Sequence, residues 1–245
     1  MRVFADYHTH TRFSHGKGSV MDNVRAAARK GLEAVAITDH GPANLFGVGI
    51  RSLATFDDMA REIERARQAF PEVKVLMGVE ANLIDSDGGL DVPADVLKRL
   101  DVVLVGYHLM VRARTVRDWW RLFGRNHAAR WSRRLAERAR IDNTKALVEA
   151  VRKNRVDVVT HPGLHVSIDT EELARECARV GTALEINARH ANLDAEFMKA
   201  AARQGVNFCI GSDAHAPDEV GDFGRALEVA IGAGIDPERI INVRV

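Results

Sequence analysis

Cysteine is nearly absent from the 245-residue sequence. Cys177 and Cys209 cannot form a disulfide framework, and a reducing, cytoplasmic setting is the expectation. Long apolar runs are also missing, and none approaches the ~18–20 residues of a membrane-spanning helix. A cleavable leader is not expected, because the chemically interesting residues begin at His8 and cleavage would remove them. Neither sign of charge dominates. Thirty-five basic and 34 acidic residues leave +1, which gives no global argument for nucleic acid or membrane. No Ser/Pro/Gly-rich linker interrupts the chain, and low-complexity scaffolds are excluded. What remains, 46% hydrophobic and 28% charged residues, is the composition of an ordinary globule. α/β barrels reach about 250 residues as one unit, so residues 1–245 read as a single domain.

Short β-branched runs alternate with longer amphipathic stretches, the signature of βαβ units and a mostly parallel sheet. Seven strands are predicted: Arg2–Tyr7, Ala34–Thr38, Val73–Val79, Val102–Gly106, Val156–Thr160, Ala183–Ile186 and Asn207–Ile210. Helical patterns fall at Met21–Lys30, Phe56–Ala69, Asn143–Asn154, Glu171–Val180 and Ala195–Gln204. Gly31, Gly181 and Gly205 suit left-handed C-terminal caps, and Asp194 and Asp169–Thr170 suit N-terminal caps. One segment breaks the rhythm. Residues 112–140 hold ten arginines against Asp118 and Glu137, a charge of +8 that leaves −7 for the rest. All three tryptophans, Trp119, Trp120 and Trp131, also lie there. The segment reads as a basic helical insertion. Val116, Trp120, Phe123, His127, Trp131 and Leu135 recur at helical spacing, and the tryptophan stripe is expected to pack on the barrel.

Histidines gather where strands end. The first strand runs into Asp6, His8 and His10, with His15 beyond, and the second ends in Asp39-His40-Gly41. Glu80, His108, His161-Pro162-Gly163, Glu185-Ile186-Asn187 and Asp213-Ala214-His215 follow the others. In a parallel α/β fold these carboxyl ends share one edge, so residues distant in sequence converge. A single strand-end histidine is usually structural, but five of seven ends carry one. Imidazole with carboxylate is the ligand chemistry of zinc, manganese or iron. Nine candidates exceed what one ion takes, so two or three ions are expected. Ions so clustered would generate hydroxide near neutral pH and clamp a displacement at phosphorus. The two cysteines read as core thiols.

The ordered set His8-x-His10, His15, Asp39-His40-Gly41, Glu80, His108, His161-Pro162-Gly163 and Asp213-x-His215 resembles the polymerase and histidinol phosphatase (PHP) family along the whole chain, its small single-domain phosphatases most of all. The resemblance implies a distorted, TIM-like (β/α)7 barrel, a trinuclear metal centre at the C-terminal strand ends, and phosphoesterase activity. It assigns His8, His10, Glu80 and Asp213 to one ion. Glu80 would bridge to a second ion held by His108 and His161, and His15, His40 and His215 would hold a third. Glu80, Asp213 and His215 are the candidate catalytic residues, Asp213 as a possible proton acceptor. Asp6 and Asp39 are read as acceptors that orient imidazoles. Asn187 and Arg189 are candidates for substrate phosphate, whereas His165 and His190 lie outside the family pattern.

The reading is therefore a cytoplasmic hydrolase that cleaves a phosphomonoester of a small metabolite with metal-bound hydroxide. One alternative is a nuclease or nucleotide phosphodiesterase on the same metals, with nucleic acid engaged through the basic insertion. An amidohydrolase would carry a lysine or carboxylate after the fourth strand, where this sequence has His108. A non-catalytic PHP module is disfavoured because no ligand position is lost.

Overall fold

The structure, a computed structural model, describes residues 1–190 and 195–245. Its first half comprises β1 (Arg2–Val3), β2 (Ala5–Asp6), α1 (Val20–Arg29), β3 (Ala34–Ile37), α2 (Thr55–Ala69), β4 (Lys74–Asn82), α3 (Ala94–Leu97) and β5 (Val102–Gly106). An arm of α4 (Val116–Trp119) and α5 (Arg125–Ala128) leads into the long α6 (Arg133–Lys153). Then follow β6 (Val158–Val159), α7 (Thr170–Val180), β7 (Ala183–Asn187), α8 (Ala195–Ala202), β8 (Phe208–Gly211), α9 (Gly224–Gly232) and β9 (Val243–Arg244). Strands β2 to β8 lie side by side in chain order, all parallel. With helices outside them they form a nearly closed barrel, the (β/α)7 arrangement that the alternation predicts.

Side-chain alternation divides the interior in two. Val35 and Ile37 of β3 face outward into the apolar layer beneath the helices. Ala36 faces the lumen with Val102, Leu104, Val158, Ala183 and Cys209. Glu80 stands level with Leu104, and Glu185 with Cys209, so the polar centre rests directly on this small apolar floor. Gly31, Gly181 and Gly205 adopt positive φ at the helix ends as expected, and the Asp169 side chain caps α7 through the Glu172 N–H. Asp194 lies outside the described residues.

Between β2 and β8 the ladder is interrupted, and side chains close the seam. Buried Asn242 donates from Nδ2 to the Ala5 carbonyl (2.8 Å) and the Ile210 carbonyl (2.7 Å), and its Oδ1 accepts from the Ile210 N–H (3.0 Å). The expected strand Arg2–Tyr7 is therefore two strands. β1 leaves the barrel to pair antiparallel with β9, and only β2 joins the parallel sheet. The third strand runs past Val79 to Asn82, which places Glu80 within β4 rather than after it.

The basic segment differs most from expectation. A π turn (Trp120–Gly124) and a 3-10 turn (Ala129–Trp131) punctuate the arm, and residues 133–140 are the first turns of α6, expected to start only at Asn143. These changes of pitch rotate the buried face off a regular helical spacing. Leu122 and Phe123 are buried, but Val116 is 85% exposed and Trp119, Trp120 and Trp131 are 49, 46 and 75% exposed. The tryptophans do not pack on the barrel. A polar joint anchors the arm instead, where the Tyr107 hydroxyl donates to the Leu122 carbonyl (2.8 Å) within reach of Asn143 Oδ1 (2.6 Å).

Asn242→Ala strands one buried N–H and two carbonyls at the seam. It is expected to cost about 3 kcal/mol, seen as a lower urea midpoint at unchanged slope. Wild-type stability would remove Asn242 from the closure.

Candidate metal centre

The β4 backbone carries Glu80 into the barrel mouth, where it is fully buried and ringed by imidazoles. Its Oε1 is 3.0 Å from His161 Nε2 and 3.3 Å from His108 Nε2. Its Oε2 is 2.8 Å from His40 Nδ1, 3.4 Å from His8 Nε2 and 3.6 Å from His10 Nε2. Asp213 Oδ1 approaches His10 Nε2 at 3.4 Å and His8 Nε2 at 3.6 Å. The His15 ring lies against those of His215 (4.3 Å between centroids) and His40 (5.0 Å). All nine sequence-predicted ligands thus meet in one place.

Several features match a cation-binding pocket. His8, His10 and Asp213 form one compact donor group; His8, Glu80 and His161 another; His40, Glu80 and His108 a third; and His10, His40 and His215 a fourth. His10 Nδ1, His40 Nδ1, His161 Nδ1 and Glu80 Oε2 are buried without a hydrogen-bond partner. The His40–Glu80 contact, though short, is not aligned as a hydrogen bond. Such atoms are costly unless something else satisfies them. Two glycines leave room: a Cβ on Gly106 would meet His108 and Glu80 Oε1, and one on Gly211 would meet Glu185 Oε1. His161 (φ 29°) and Asp213 (φ 55°) hold left-handed backbone, strain of the kind found at functional sites.

Electrostatics keep the carboxylates charged. Burial opposes the charge on Glu80, but His40, His108 and His8 outweigh it and hold its pKa well below the usual value. Asp213 is depressed likewise, burial being overcome by His8 and by hydrogen bonds from His10 and His190. Burial brings His40 down to about 4, although Glu80 pulls the other way. His40 is therefore a neutral imidazole at physiological pH, the form that ligates a metal.

The supporting residues differ from expectation. Neither Asp6 nor Asp39 accepts from an imidazole. Asp6 accepts from the backbone N–H groups of His8 (3.3 Å), Ser212 (3.2 Å) and Gly221 (2.9 Å). Asp39 binds Thr11 and Ser14 through their N–H groups and hydroxyls. Both pin the loops that carry histidines, and burial raises Asp39 to about 6 despite those bonds. Imidazoles are oriented by Glu185 and Asn82, to which sequence reasoning assigns no role. Glu185 Oε1 is 2.7 Å from His8 Nδ1, its Oε2 accepts from the His161 N–H (2.7 Å), and Asn82 Oδ1 is 2.7 Å from His108 Nδ1. The signal for Glu185 was a lone acid inside an otherwise apolar buried strand.

A cleft of about 420 Å³ opens over the centre, lined by His15, His40, His108, His161, Asp213 and His215 with Lys17, Leu164, His165, Arg189 and His190. Asn187 is buried and does not line it. Its Oδ1 accepts from the N–H groups of Arg189 (2.9 Å) and His190 (3.0 Å), shaping the turn that presents both. His190 joins the site, with Nε2 3.2 Å from Asp213 Oδ2. Arg189 is held at the lip by Glu219 (2.8 Å).

Glu185→Gln should weaken metal binding about 10- to 100-fold while the fold persists. Chelator competition on purified protein measures this, and undiminished affinity would exclude an orienting role.

The sequence profile of the PHP domain matches residues 6–212. Among similar proteins, a "probable phosphatase" of Thermoanaerobacter sp. (strain X514) is 31% identical over all of this chain and 92% of its own length. Another from Shewanella oneidensis is 30% identical over 99% of this chain and 88% of its own. Histidinol phosphate phosphatase of Lactococcus lactis, solved with zinc, L-histidinol and phosphate, superposes with a TM-score of 0.64 at 17% identity, covering 96% of this chain and 95% of that one. The profile match spans most of the sequence and includes seven of the nine convergent candidate ligand positions, and by it the chain belongs to the PHP domain family.

Proposed function

We propose that this chain, a phosphoesterase hydrolase of the PHP family, releases phosphate from a small phosphorylated metabolite at a centre for three divalent ions, zinc, manganese or iron. The observation that carries this reading is Glu80, whose two oxygens face two different imidazole groups. That is the geometry a bridging carboxylate requires. His8, His10, Glu80 and Asp213 would hold one ion, and His108 and His161, with Glu80, the second. His15, His40 and His215 would hold the third, the His15 ring already stacked on that of His40 and edge to face with that of His215. Ions bound there would supply Lewis acidity at phosphorus and lower the pKa of water.

The chain's own residues do the rest. Arg189 at the cleft lip grips phosphate oxygens with its guanidinium fork. Lys17, which also lines the cleft, adds a second positive charge. Asp213 would accept a proton, its Oδ2 lying 3.2 Å from His190 Nε2 at the cleft while Asn187 Nδ2 donates to the same oxygen (3.2 Å) and holds the carboxylate in place. The cleft volume suits a small metabolite, and no described arm residue lines it, which favours a phosphomonoester over a polymer as the hydrolysed group. Histidinol phosphate, whose parts occupy the Lactococcus lactis enzyme, is a reasonable first compound.

Elemental analysis alongside a phosphomonoester screen tests the proposal. Glu80→Gln should lose bound metal and about a thousandfold in turnover, and full activity in metal-free protein would sink it. Arg189→Ala should raise KM about tenfold or more with metal content intact. An unchanged KM would remove Arg189 from substrate binding.

A further inference from the structure

The arm carries a second surface that the metal centre does not use. Trp119 and Trp120 are consecutive, and in a regular α-helix their side chains would diverge by about 100°. Here both indoles lie over Gly124. A Cβ on that glycine would stand 2.5 Å from Trp120 Cε3 and 3.1 Å from Trp119 Cζ3. The π turn explains the convergence. Within Trp120–Gly124 the backbone follows i to i+5 spacing, which brings Trp119 into register with Gly124 while Trp120, four residues away, stays close. The missing side chain at Gly124 supplies the space. The result is two indoles whose edges meet over one glycine, each about half exposed.

The same arm is dense in positive charge. Several arginines of the arm are occupied internally: Arg114 by Asp85, Arg125 by Asp142, and Arg140 by Glu137 and Asp169. Arg117, Arg133, Arg134 and Arg138 have no acidic partner among the described residues, and Arg130 stacks on exposed Trp131 (4.5 Å to the ring centroid). A soluble domain seldom leaves three indoles and a set of unpaired guanidiniums in water without a use for them.

We propose that this arm docks single-stranded nucleic acid, with bases stacked on the Trp119–Trp120 platform and phosphates on the unpaired arginines. Flat aromatic faces beside cations are the chemistry of a sequence-tolerant single-strand surface. An acidic polypeptide would satisfy the arginines but offers no planar group for the indoles. Docking is separate from hydrolysis in the cleft and holds whatever ester is cleaved there.

All three tryptophans of the chain lie in the arm, so indole fluorescence reports on the arm alone. The experiment titrates the full-length protein with a labelled oligothymidylate of about 15 nucleotides and follows anisotropy and indole emission. Saturable binding with quenching is expected, weakening as salt rises by a log–log slope of about −0.7 per phosphate neutralised. Trp119→Ala with Trp120→Ala should weaken binding about tenfold or more. Replacing Arg117, Arg133, Arg134 and Arg138 with glutamine should flatten the salt slope. Both sets of variants should keep wild-type hydrolysis of a small phosphomonoester, which also certifies their fold. Three outcomes would overturn the proposal: no saturable binding at low salt, equal binding and quenching by polyglutamate, or a dimer buried through the indoles without oligonucleotide.

Discussion

A carboxylate at the bottom of a protein cleft, cut off from water, must be compensated by positive charge or not be charged at all. Glu80 is such a group, fully buried and within 3.6 Å of nitrogens from five histidines. Much of the molecule can be understood as what it takes to assemble that compensation. The parallel barrel brings strand ends from opposite parts of the chain to one mouth. Gly106 and Gly211 clear space beside the imidazoles and their carboxylate partners. His161 and Asp213 accept left-handed backbone so that their side chains turn inward. Thr160 donates to Glu80 Oε1 (2.7 Å), fixing the orientation of the carboxylate itself.

A ring of further polar residues holds this assembly rigid, and their partners divide the labour. Asp6 and Asp39 bind backbone and hydroxyl groups of the loops bearing His8, His10 and His15, whereas Glu185 and Asn82 bind imidazole nitrogens. A metal centre needs both. A ligand whose loop can drift loses preorganisation, and one whose ring can rotate loses its tautomer. Asp6 shows how local and global order are joined, because the residues it binds, His8, Ser212 and Gly221, come from both ends of the chain at the barrel seam.

The features legible in the sequence were those with a short period or a short reach. Strands β3, β5, β7 and β8 announced themselves as β-branched runs, and the strand-end histidines stood out because so many ends carried one. The division of Arg2–Tyr7 into β1 and β2 was not legible, since it depends on pairing with β9 at the far terminus. The roles of Asp6 and Asp39 were misjudged because adjacency to a ligand in sequence says nothing about which way a carboxylate points. Asn187 looked like a rim residue for the same reason, yet one more pleat of β7 turns it inward. Periodicity failed outright in the arm, where π and 3-10 turns shift the buried face and leave Trp120 and Trp131 outside while Leu122 and Phe123 are inside.

Charge is as unevenly distributed as polarity. With +8 in residues 112–140, the remainder carries −7, and the buried acids of the centre lie in that remainder. Without local compensation, an anionic ester would be repelled by the part of the molecule built to receive it. Cations bound among the histidines, with Lys17 and Arg189 lining the cleft, would reverse the field at short range, where contact chemistry is decided. The arm's charge reaches only the roughly 8–10 Å that physiological salt leaves unscreened, and none of its described residues lines the cleft. Its joint to the barrel passes through Tyr107, the residue before His108. The basic surface is therefore fastened beside a candidate ligand of the centre, and a molecule caught there would be held near the barrel mouth rather than on an independent appendage.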